Sequence, residues 1–198
     1  MRISTAFQYD RYSGDIAKAQ ERYLTLQGQI SSGKRINTLS DDPYGSANLL
    51  SLKGVRGATQ QYVENLRGAK SQLTLSEASL GEVGQLLKRG YELTVGGANS
   101  ATTQDGRNAM AAEIKDIQKR LVDLANSRDA SGHYLFAGQS VTVKPYASDG
   151  TDTLIFSGDT DSIFVESGPG ETMVSNVQGS PMFERNYKDL ESLRAALE

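Results

Sequence analysis

Leu52 to Gly90 reads LKGVRGATQQYVENLRGAKSQLTLSEASLGEVGQLLKRG, and its periodicity decides the fold. Residues taken alternately three and four apart are Leu52, Val55, Thr59, Tyr62, Leu66, Ala69, Leu73, Ser76, Leu80, Val83, Leu87 and Gly90. This unbroken heptad of mostly apolar or small side chains is the period of one helix wound against another. Pro43 fits the first helical position and Gly96-Gly97 the stop, so the stretch predicts a helix of roughly 50 residues, on the order of 75 Å long. Leu75, Leu86 and Leu93 form a second stripe off that seam, which predicts more than one neighbour for its middle. The glycines at 54, 57, 68, 81, 84 and 90 each cost about 0.8–1 kcal/mol against alanine inside a helix. They read either as tolerated solvent-face positions or as sites of close backbone approach.

Working back toward the N-terminus, a second heptad runs through Tyr9, Tyr12, Ile16, Ala19, Tyr23, Leu26 and Ile30, with Asp10, Arg11, Asp15, Lys18, Gln20, Glu21 and Arg22 on the other face. A helix this short is marginal alone, whereas burying each large seam residue contributes about 1.5–3 kcal/mol, so Tyr9, Tyr12, Ile16, Tyr23, Leu26 and Ile30 predict an assembly seam. Between the two helices, Gly33 is placed to end the first, and the 37–42 stretch is rich in turn-forming residues. Asp42 before Pro43 is a helix-start signal. Gly33, Asn37, Asp41, Asp42 and Pro43 therefore predict an elbow with a helix cap, and the adjacent aspartates read as a cap rather than an acid/base pair.

Forward of Gly97, the small polar segment 98–103 is a loop, with Thr102 or Thr103 as the cap of a third helix through Met110, Ile114, Ile117, Leu121 and Leu124. The short connection predicts that this helix returns antiparallel, ending within 126–129. Leu66, Leu73, Leu80, Val83, Leu87, Ile114, Ile117, Leu121 and Leu124 are the predicted core of the helical part. Past Gly132-His-Tyr-Leu-Phe-Ala-Gly138 the helical period is lost. Val141–Val143, Leu154–Phe156, Ile163–Val165 and Met173-Val174 are β-prone runs separated by the turns at 148–150, 157–159 and 167–170. A last helix follows Gly179-Ser-Pro181, with Tyr187, Leu190, Leu193 and Leu197 as its seam. The fold class is mainly α with a small β insert: an elongated antiparallel helical bundle or coiled-coil rod plus a small antiparallel β domain. Its predicted parts are an arm and elbow (1–41), a helical rod (42–137), the β domain (138–180) and the start of a returning helix (181–198).

Composition narrows the chemistry. The 198 residues are 37% hydrophobic, carry a net charge of -3 and include no cysteine and no tryptophan. Cations are scattered and Lys34-Arg35 is no more than a pair, which argues against nucleic acid. No run approaches the roughly 20 apolar residues that cross a bilayer. His133 is the single histidine and reads as structural or surface, so no histidine pair exists for a metal or triad. Asp149, Asp152, Asp159 and Asp161 lack the alternating spacing and closing glutamate of a calcium loop and read as turn residues. No catalytic, metal or cofactor residues are assigned, and an enzyme is not expected. Tyr146, Phe156 and Phe164 are the aromatic platforms that a glycan-binding β module would require.

The opening Met-Arg-Ile-Ser-Thr5, the block Gln29-Ile-Ser-Ser-Gly-Lys-Arg-Ile-Asn37 with Ser40-Asp-Asp-Pro43, and Leu124-Ala-Asn126 with Gly132-His-Tyr-Leu-Phe-Ala-Gly138 resemble the flagellin family. The run ending in Tyr-Leu-Phe-Ala-Gly, with Asn176-Val-Gln-Gly179 and Phe183, is most similar to its hook-filament junction branch. The resemblance implies a structural subunit of the bacterial flagellum, exported unfolded through the type III channel without a cleaved signal peptide. It implies an extracellular place between hook and filament. It also implies as partners other copies of itself, the hook-associated protein of the hook side, filament flagellin and an export chaperone. Filament flagellin is the competing reading. Family members continue into long C-terminal helices, so a chain stopping at Glu198 is expected to be truncated or a shortened relative, with Tyr9–Ile30 lacking its usual partner. Lys88 to Val95 aligns with a stretch that some flagellins present to an innate immune receptor; Arg89, Glu92 and Leu93 match, but Tyr91 stands where a basic residue is usual, which counts against receptor recognition.

Overall fold

A computed structural model describes residues 3–148 and 153–198, and of residues 3–6 the backbone alone. Asp149 and Asp152 lie outside the described residues. The chain divides into two compact units, residues 1–59 and 60–198.

In the first unit, helix α1 spans Ile3–Ser32. It stops at Gly33, whose φ of 65° is open to glycine and unfavourable for other residues. Helix α2 spans Pro43–Gly97, so it begins here and continues into the second unit. Asp42 caps its start by accepting the Gly45 N–H at 2.8 Å.

In the second unit the remainder of α2 meets helix α3, Gln104–Ala125, and helix α4, Met182–Ala195. Thr103 is the cap of α3, accepting the Gly106 N–H at 3.2 Å. The direction of α3 follows from its contacts: Met110 lies against Gly96 and Glu113 pairs with Arg89, so it runs antiparallel to α2. Helix α4 runs parallel to α2, with Leu190 against Gly90 and Leu197 against Gly97. Ile114, Leu121 and Leu190 are at most 1% exposed at the centre of this packing. Gln118, also buried, donates to Glu191 across the α3–α4 face at 3.0 Å.

Two antiparallel hairpins follow α3: β1 (Tyr146–Ser148) with β2 (Leu154–Phe156), and β3 (Phe164–Gly168) with β4 (Glu171–Val174). The first hairpin shares the helical core. The Tyr146 ring sits 5.1 Å from Phe156 and 5.3 Å from Phe183, and Phe183 meets Phe136 edge-on at 5.0 Å. Within the Gly132–Gly138 motif, Tyr134, Leu135, Phe136 and Ala137 are buried. Gly138 (φ 66°) leaves no room for a Cβ beside the Asp159 carbonyl.

Three expectations are corrected. Val141–Val143 is not a strand: Val141 O accepts from Tyr134 and the Val143 N–H donates to Ser140, folding the run into turns, and the strand forms after Pro145 instead. Leu66 is 37% exposed, not core, because α3 and α4 reach α2 only nearer its C-terminal end. Tyr146 is fully buried among Phe156 and Phe183 and is no stacking platform, whereas Phe164 is 64% exposed.

Candidate functional site

Along α1 every large residue of the heptad seam is solvent-facing: Tyr9, Tyr12, Ile16, Tyr23, Leu26 and Ile30 are each more than half exposed, Ile30 reaching 82%. The 3.6-residue repeat of the helix gathers these positions on one stripe, with charges opposite. An apolar stripe left in water from Tyr9 to Ile30 is unusual for a self-contained domain.

Beyond the seam, the elbow is held by its own polar groups. The Asp41 carboxylate accepts from the N–H groups of Asn37 and Thr38 at 2.9 Å and from the Thr38 hydroxyl at 2.8 Å. These bonds, from the Thr38 backbone first, hold its pKa below the usual carboxylate range. Asp42 is likewise lowered, by the Gly45 N–H first and then by Arg35, whose guanidinium lies 2.8 Å away. Gln29 reaches from the last turn of α1 to the Arg35 carbonyl at 2.8 Å. Of the predicted elbow residues, Asn37 and Asp41 are joined by a hydrogen bond, Asp42 caps α2 at Pro43, and Gly33 ends α1. Sequence reasoning missed Gln29 and Arg35, whose roles depend on a contact across the loop.

The predicted core residues divide. Val83, Ile114, Ile117 and Leu121 are buried; Leu73, Leu80, Leu87 and Leu124 are half-buried; Leu66 is at the surface. Of the second stripe, Leu93 is buried, Leu86 half-buried and Leu75 exposed. Within residues 88–95, Arg89 is engaged in a two-pronged bond to Glu113 and Leu93 is only 6% exposed. His133 is half exposed and its backbone N–H donates to Asp129. Among the described residues no group of His, Cys, Asp or Glu could hold a metal ion, and no helix is long and apolar enough to cross a membrane.

The described residues are thus a mainly helical chain that keeps the apolar face of α1 in solvent. The profile of the bacterial flagellin N-terminal helical region matches residues 3–141, and the chain belongs to that family. It is 29% identical to the flagellar hook-associated protein 3 of Salmonella typhimurium over 185 residues, covering 92% of this chain and 57% of that protein. The chain thus spans little more than half the length of that curated relative. A flagellin of Clostridium tyrobutyricum is 27% identical over 129 residues, covering 65% of this chain and 32% of its own length. Among solved structures, Xanthomonas campestris FlgL superposes with a TM-score of 0.60 at 31% identity, over 65% of this chain and 41% of that one.

Proposed function

We propose that the chain is a non-catalytic structural subunit of the bacterial flagellum, acting at the junction of hook and filament. The observation that carries this reading over filament flagellin is coverage. Similarity to the hook-associated protein extends over 92% of the chain, whereas similarity to the flagellin extends over 65%. In this reading Tyr9, Tyr12, Ile16, Tyr23, Leu26 and Ile30 form the seam that other chains cover, and the 33–43 elbow sets the angle at which the seam is offered. Residues 1–41 act as arm and elbow, 42–137 as the helical body, 138–180 as the outward β part and 181–198 as a returning helix. Its neighbours are other copies of itself, the hook-associated protein on the hook side and flagellin on the filament side. Export is through the flagellar type III channel, aided by a chaperone, to an extracellular position.

Immunogold labelling of intact flagella with an antibody against residues 141–177 tests the reading. Label confined to the hook-filament boundary is the expected result. Label along the filament would make the chain a flagellin, and flagella without label would remove it from the organelle.

A further inference from the structure

Within residues 1–59, α1 and α2 do not pack along one another. From Phe7 onward every large apolar side chain of α1 is exposed, and of residues 31–59 only Ile36, Asp42, Gly45 and Ser46 are less than fully exposed. Ile36, the one large apolar side chain among them and only half-buried, contributes too little buried area to fix the angle between two helices. Polar bonds must hold it.

Those bonds meet at Arg35. At one end, the Gln29 side-chain amide in the last turn of α1 donates to the Arg35 carbonyl at 2.8 Å. At the other, the Arg35 guanidinium donates to Asp42 Oδ2, also at 2.8 Å. Asp42 is itself fixed to α2, because its second oxygen accepts the Gly45 N–H at 2.8 Å. A Cβ on Gly45 would collide with the Asp42 carboxylate, so the glycine leaves the space in which that carboxylate reaches back to the loop. The neighbouring carboxylate, Asp41, is engaged within the loop by Asn37 and Thr38 and ties neither helix.

We propose that Arg35 is a two-ended clasp that sets the angle of α1 on α2, and that salt opens it. The Arg35 side chain is 71% exposed and that of Asp42 29%, so dissolved ions reach the pair and screen it. With the ion pair open, Gln29 still ties the loop to α1 but no charge ties the loop to α2, and the arm swings. Arg35 is thus a positioning residue for the Tyr9–Ile30 face, and ionic strength grades the angle at which that face is offered. The clasp rests on the junction reading only for what the arm is offered to, so a distance measured in the purified chain and the immunogold label fail separately.

The chain has no cysteine, so Gln20→Cys and Ser51→Cys place one nitroxide on each helix. Double electron–electron resonance on labelled protein diluted in unlabelled protein then reads the intramolecular distance distribution. A narrow distribution is expected in about 0.01 M sodium chloride, broadening about twofold in about 1 M, where the screening length falls from roughly 30 Å to roughly 3 Å. Arg35→Gln removes the charge, and Asp42→Asn keeps an acceptor for the Gly45 N–H. Each should give the broad distribution at low salt with an unchanged circular dichroism spectrum. Gln29→Ala cuts the other end, at a backbone carbonyl that the Arg35 substitution leaves in place. With both ends in one clasp, Gln29→Ala broadens the distribution to the same extent, and adding Arg35→Gln broadens it no further. A width that stays constant across the salt range, an Arg35→Gln protein as narrow as the parent, or two substitutions whose broadening simply adds would each overturn the proposal.

Discussion

The side chain of Asn126 grips the backbone of Tyr146 in both directions: Nδ2 donates to the Tyr146 carbonyl and Oδ1 accepts the Tyr146 N–H, each at 3.0 Å. The same Nδ2 also donates to the Val122 carbonyl in the last turn of α3. One amide therefore finishes a helix and starts a strand twenty residues away. Replacing Asn126 with alanine leaves buried backbone groups without partners, and a loss of about 1–3 kcal/mol is expected. Urea denaturation followed by circular dichroism reads it. Aspartate at this position keeps the acceptor but not the donor, and is expected to cost part of the stability at neutral pH.

The glycines of α2 predict a contrast in sign. Gly84 faces open space, so Gly84→Ala should stabilise by up to about 1 kcal/mol through helix propensity. At Gly90 an added Cβ would lie 2.8 Å from Leu190 Cδ2, and Leu190 is only 1% exposed and has little room to retreat. Gly90→Ala should therefore fall below Gly84→Ala by about 1–3 kcal/mol from overpacking. Thermal melts of the two variants decide it, and equal melting temperatures would show that Leu190 shifts freely.

Acid should loosen the elbow. Asp41 and Asp42 both have folded pKa values below the ordinary 3.8, so their contribution is present above that value and is lost as pH falls through the depressed folded values. Amide resonances of Asn37, Thr38 and Gly45 should move together in that window. Asp41→Asn should remove the Asn37 and Thr38 response while leaving that of Gly45.

With its seam uncovered, α1 should behave as a helix held by little beyond its own backbone. Brief trypsin treatment should cut first at Lys18 and Arg22, well before sites within α3. Gel filtration with light scattering would then report whether a second chain protects them. A strict monomer resistant at both sites would show that the seam is covered within the molecule.

Much of this architecture was legible because heptads, caps and glycine stops act locally. Asp42-Pro43, Thr103 and Gly96-Gly97 each specify a helix end through bonds within a few residues. The hairpins were harder to read. Val141–Val143 has strand composition, yet Pro145 and the reach back to Tyr134 decide its course, and both act through tertiary contacts. Leu66 lies on a perfect seam, but periodicity records which face is apolar and not where a neighbour stops. The apolar stripe of α1 was visible at once, whereas the bond from Gln29 to the Arg35 carbonyl arises only when the loop folds back on α1.

The ring contacts joining Phe136, Tyr146 and Phe183 divide the β part into regions of unequal freedom to diverge. The Tyr146–Phe156 hairpin is stitched to the base of α4, so substitutions there disturb a helix. The Phe164–Val174 hairpin shows Phe164, Glu166 and Val174 to solvent. Natural drift, or a grafted epitope, has its widest latitude in that second hairpin, where the sequence can change while the scaffold beneath keeps its shape.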